Sequence, residues 1–190
     1  MSIKSDSDAS DVAKASSGVT ASSTALLGAD LVVVALSWDN PPSEGGIVTI
    51  TFLMLISFVA FIHVMHSIMR SEFIVARLQM TEFDEKVREK DSRELSQTFK
   101  VTMYMHLTGL NFTMIAFWII SYKYLISLGG YNLVILLLPF ILFLLFWFPK
   151  FFGVDPEVKL RSGESLTQLV IQIVFLILIC LDFFRVLTIP

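Results

Sequence analysis

Cysteine is nearly absent from this sequence: Cys180 stands alone, so no internal disulfide can hold the fold. Histidine occurs three times, and charged residues make up 16% of the 190 positions. A soluble domain carries roughly a quarter. There is no Walker loop, no Gly-x-Ser-x-Gly, no cysteine pair and no pair of carboxylates within an apolar run. The reading is therefore non-enzymatic. A net charge of −3 offers nucleic acid no electrostatic footing. Residues 1–20, rich in Ser, Asp and Ala, lack apolar content and read as a disordered tail. The first apolar run, 25–36, is broken by Asp30, which argues against a cleaved signal peptide.

What the chain has instead is apolar length. Fully 55% of its residues are hydrophobic and its mean hydropathy is +0.73. Four runs, at 47–69, 101–122, 131–148 and 166–184, approach the roughly 20 residues that cross a bilayer as helix. Pro139 is expected to kink the third of these and Pro149 to end it. Ser165 and Gln168 form a capping box at the start of the fourth. An earlier segment, 22–38, is short, built from small residues and carries a carboxylate, and 39–46 (DNPPSEGG) stops it. The expected fold is an all-α integral membrane bundle of four to five spans over residues 21–190.

The stretch 70–100 holds Arg70, Arg77, Lys86, Arg88, Lys90, Arg93 and Lys100, more cations than any other connection. The positive-inside rule makes it cytoplasmic. Five spans then leave the N-terminal tail inside and the C-terminus outside; four spans with an external tail is the rival. No Gly or Pro interrupts 70–100, so it reads as helical, continuing the second span inward. Asp91 and Glu94 suggest a capping box that opens the next helix.

Few polar residues fall within the runs. His63 and His106 sit at matched depth on small-residue stripes, so a b-type haem between them competes with plain structural histidines. Asp182 and Arg185 pair most simply with each other or with headgroups, while Asn111, Gln168 and Gln172 suit hydrogen bonds between helices. Asp30 is costlier, at roughly 2.5–3.5 kcal/mol against lipid on insertion scales. With Leu26, Val33 and Ser37 it forms one helix face, which around an axis of several copies would line a pore, with Asp39 at its outer mouth. The bland alternative pairs Asp30 with a partner subunit.

Residues 21–27 (ASSTALL), 34–36 (VAL) and Pro41-Pro42 resemble the first span of Orai calcium channels, and Phe58–His63 with Phe73–Ala76 is similar to that family's second span. The resemblance implies a homo-oligomer with the first span innermost, calcium in the pore, opening by an endoplasmic-reticulum calcium sensor and residence in the plasma membrane. The sequence departs from the family at the selectivity glutamate, whose place falls on Ser37 or Trp38, and at the aromatic gate, where Asp30 stands. Three functions follow: an oligomeric cation channel, a non-catalytic accessory subunit of a larger membrane complex, and a small haem protein using His63 and His106. On this topology, a cysteine placed at Ser92 is expected to resist impermeant thiol reagents applied to intact cells; labelling from outside would reverse it.

Overall fold

The computed structural model describes residues 6–78, 85–151 and 163–190, which form five helices and no strand. They are α1 (Asp6–Asp39), α2 (Ile47–Leu78), α3 (Glu85–Gly129), α4 (Leu133–Phe151) and α5 (Gly163–Phe183). Four of them contain segments long and apolar enough to cross a membrane, within α1, α2, α3 and α5; the apolar part of α4 is shorter. The chain is an all-helical membrane protein.

Three boundaries differ from expectation. α1 starts at Asp6, within the segment read as disordered. Neither Gly nor Pro interrupts the sequence there before Gly18. α3 begins at Glu85, six residues before the capping box read at Asp91, whose carboxylate is instead taken by Arg77. α4 runs through Pro139 and past Pro149 to Phe151, so Pro149 does not end it. A proline removes one bond to the preceding turn and crowds the carbonyl there, a cost that membrane helices tolerate. The middle of the charged connection, 79–84, lies outside the described residues.

The chain divides into two compact units. The first holds α1 up to Ala29 with Ser57–Leu110. In it α2 and α3 run antiparallel, joined by Ser57 Oγ donating to the Gly109 carbonyl (2.9 Å) and by Arg77 donating twice to Asp91 (2.8 and 2.5 Å). Phe61, Val64, Ile68, Ile74 and Leu95 fill its interior.

The second unit holds Asp30–Ile56 and Asn111–Pro190. Its core gathers Ile50, Leu53 and Met54 of α2, Ile115, Trp118 and Ile119 of α3, Leu136 of α4, and Leu176 and Ile179 of α5. Polar pairs set the helix directions. Gln172 donates to Asn111, and Tyr122 and Lys123 donate to Asp182, so α3 and α5 are parallel. Thr113 donates to Asp30 and Tyr124 to the Asn40 carbonyl, so α1 and α3 are parallel too.

A buried ion pair closes one end of this unit. Lys123 Nζ lies 2.8 Å from Asp182 Oδ1, with both side chains at most 3% exposed. Asp182 also accepts from Tyr122 Oη (2.9 Å) and the Ile189 amide (2.8 Å), and Lys123 donates to the Glu44 carbonyl (2.8 Å). Lys123 reaches that carbonyl past Gly46, whose φ is +96° and whose added Cβ would sit 3.0 Å from Lys123 Cγ. Arg185, expected to pair with Asp182 or with headgroups, sits at φ 59° just beyond α5. The Arg185 amide donates to the Asp182 carbonyl and Val186 to Leu181, a Schellman closure usually made with glycine. Its guanidinium stacks 4.5 Å from the Tyr131 ring centroid.

Removing one partner of a buried ion pair leaves an uncompensated charge. Lys123→Met is therefore expected to lower stability by about 3–5 kcal/mol, and Lys123→Met with Asp182→Leu to recover much of it. Thermal unfolding of the detergent-solubilised protein reads both.

Candidate functional site

α1 is built on a seven-residue repeat, the spacing at which a helix keeps one seam toward a neighbour. Ser23, Asp30 and Ser37 recur at that spacing, and each is at most 1% exposed. Leu26 and Val33, between them, are half-buried. The face read as pore-lining is thus the face that α1 turns into its own chain. In the first unit Ser23 Oγ is hydrogen-bonded to His106 Nδ1 of α3 (2.9 Å). In the second, Thr113 Oγ1 donates to both oxygens of Asp30 (3.1 and 3.4 Å), and Ser37 Oγ donates back to the Val33 carbonyl (2.7 Å). Val33 packs against the core. Asp39, the last residue of α1, is exposed. On the outward side of α1 lie Leu31, Val32 and Leu36, all more than half exposed.

This arrangement sets the Asp30 carboxylate against α3 of its own chain. A carboxylate so placed can hold a proton or a small cation.

A groove lies on the same side of α1 and α3. Its volume is about 540 Å3, and its wall is mainly apolar, with Val33 and Leu36 of α1, Phe117 and Ile120 of α3 and Leu138 of α4, and with Ser37 and Ser121 as its hydroxyls. Val33 follows Asp30 by three residues, and Phe117 follows Thr113 by four, so the groove ends within about one helical turn of the carboxylate.

The two histidines read as haem ligands have different surroundings. His63 is exposed, while His106 bonds Ser23 and tilts against Phe61 with centroids 5.9 Å apart. Gly109 was the small residue expected to leave room for a ring. That room is taken by Phe61, whose Cε1 would lie 2.8 Å from an added Cβ. The residues present therefore do not fit a haem between α2 and α3. Among the described residues no three His, Cys, Asp or Glu side chains gather to hold a metal.

No protein-family model, no curated protein and no solved structure matches the chain. The resemblance to Orai channels rests on the short segments that carry it.

Two features escaped the sequence. Thr113 looked like one member of a small-residue stripe, and nothing in its own neighbourhood marks it as the partner of a residue 83 positions away. Lys123, the one cation near the connection around 127–130, is 1% exposed and bonded to Asp182. The signal available was its position: a lysine directly after Ile119–Tyr122 still belongs to the apolar helix. Asn111 and Gln172 do bond each other, with Trp147 donating to Gln172 (2.6 Å), whereas Gln168 Nε2 has no partner among the described residues. Outside the spans, Tyr131 donates to Glu44 (3.0 Å); desolvation first, and that carboxylate second, push its phenol above the ordinary value.

Because Phe61 fills the space over Gly109, Gly109→Ala is expected to destabilise by about 1–3 kcal/mol, as overpacking does. Phe61→Leu in the same chain should relieve most of that loss. Thermal unfolding of the single and double variants checks it.

Proposed function

We propose that this membrane protein binds and passes a small cation, a proton included, at Asp30 from within its own helix bundle. The observation that carries the reading is the placement of Asp30, 1% exposed on α1 and held by the Thr113 hydroxyl of α3. An ionisable group within a membrane-length helix is costly enough to mark a site of ion handling rather than a filler. A cation or proton beside the carboxylate removes that cost, so occupancy and release alternate between a neutral and a charged seam. The groove beginning at Val33 and Phe117 supplies a nearby opening.

The geometry supports a path inside each chain more than one around an axis of first spans. Leu26, Asp30, Val33 and Ser37 share the inward face, and the outward face of α1 presents Leu31, Val32 and Leu36. Calcium as the ion, an endoplasmic-reticulum sensor as the gate, identical subunits as partners and the plasma membrane as the location rest on the resemblance alone.

A second reading, a non-catalytic accessory subunit, is favoured by one observation. The membrane-length window of α1 is 11% buried, against 28–39% in the other three, which leaves much of it available to neighbouring helices. Purification from native membranes separates the two: unlike chains in fixed ratio favour the accessory role.

The cation reading is tested in proteoliposomes under imposed proton, sodium, potassium and calcium gradients. The wild-type chain is expected to dissipate at least one of them. Asp30→Asn, which keeps the shape and removes the charge, is expected to abolish that flux with helical content unchanged. Wild-type protein that reconstitutes folded and passes no cation defeats the reading.

A further inference from the structure

We infer that His63, His66 and Arg70 of α2 form a binding site for the phosphate of an anionic phospholipid headgroup. The exposed side of α2 changes its chemistry along the helix. Val48, Phe52, Leu55, Val59 and Ile62 are 48–65% exposed and present an apolar face that suits lipid. His63, His66 and Arg70 follow on that same side, all three exposed. Their spacing of three and then four residues sets them in one stripe about 10 Å long. Arg70 follows Val48 by 22 residues, about 33 Å of helix, which matches a hydrocarbon thickness of about 30 Å. With Val48 at one boundary, the stripe stands at the headgroup level of the other.

The donors of this stripe are not spent inside the chain. His63 and His66 have no hydrogen bond among the described residues. Each imidazole carries an N–H donor in either tautomer. Arg70 donates to Glu94 (2.6 Å) with its side chain still 61% exposed, which leaves most of its N–H donors available. Such groups are costly against hydrocarbon, and a phosphate oxygen relieves the cost while its charge meets the guanidinium. Glu94 offsets part of the Arg70 charge, so the imidazole donors are needed to complete the site. Along the antiparallel contact, Ser57 meets Gly109, Arg70 meets Glu94 and Arg77 meets Asp91, which puts the exposed Lys100 about level with His66. Glu72 lies about 200° round the helix from Arg70, away from the stripe. The charge on this side at this level is basic, the pattern that anionic headgroups recognise.

The experiment titrates the full chain in detergent with dioleoyl phosphatidylglycerol or dioleoyl phosphatidylcholine and counts bound lipid by native mass spectrometry. Phosphatidylglycerol is expected to bind about tenfold more tightly than phosphatidylcholine. His63→Gln, His66→Gln and Arg70→Gln together are expected to remove that preference. Lys86→Gln with Lys90→Gln, at exposed cations of the same helical hairpin, is expected to leave it unchanged. Equal binding of the two lipids overturns the site, and so does a preference that survives the triple variant. Displacement of phosphatidylglycerol by inorganic phosphate overturns a lipid source. A lipid-free dimer that the triple variant dissolves also overturns it, since a second copy then covers the stripe. Circular dichroism checks folding. Where the triple variant misfolds, Arg70→Gln alone serves: it should weaken phosphatidylglycerol about fivefold, the worth of one basic side chain beside an anionic surface, and an unchanged affinity overturns the proposal.

Discussion

The buried pair of Lys123 and Asp182 is the contact on which the second unit depends. Two charges out of water are tolerable only where their donors and acceptors are met, and here both Asp182 oxygens and two of the three Lys123 N–H donors are. Asp182 receives Lys123, Tyr122 and the Ile189 amide, and Lys123 also reaches the Glu44 carbonyl. The pair thereby fixes α3 against α5, the turn between α1 and α2 against α3, and the segment after α5 against the rest. Its net worth against an apolar replacement is small, since desolvation offsets most of the attraction. Its value is register, because any axial slip of α3 by one turn would leave two charges stranded.

Register is what brings the site together. Once α3 is set in depth by Lys123, Thr113 lies ten residues earlier on the same helix, about 15 Å along it. α1 runs parallel to α3, ending where Tyr124 donates to the Asn40 carbonyl, and Asp30 arrives opposite Thr113. The heptad spacing of Ser23, Asp30 and Ser37 then does for α1 what it does in a supercoil, keeping one face on its neighbour across several turns. In a soluble protein that seam would be apolar. Within a membrane the apolar face can meet lipid, and small or polar residues make the contact between helices. Polarity on α1 therefore points inward.

The same face of α1 admits two placements. Leu26, Asp30, Val33 and Ser37 do share a face, as the 3.6-residue period requires. A carboxylate on that face must avoid lipid, and an axis among copies and a seam within one chain satisfy that requirement equally. The histidines were ambiguous in the same way. Their depths match, yet which side of α3 carries His106 toward Ser23, and which residue fills the space over Gly109, depends on Phe61 from another helix.

Helical class, membrane-length segments and the stop after α1 were legible because they are local. Apolar runs near 20 residues have one economical conformation in lipid, and Pro41-Pro42 cannot continue a helix. The placement of α1 before Gly18, the reach of α4 past Pro149 and the Schellman closure at Arg185 were less legible, since 6–17 have no apolar pattern, Pro149 is a usual stop, and Arg185 stands where glycine is usual. Pairing was not legible at all. Which of its neighbours Asp30 meets, and that Lys123 is a core residue rather than a loop cation, follow from how helices far apart in sequence align in depth. That alignment is decided by satisfying buried charge in a medium without water, a requirement on the whole bundle that no single segment carries.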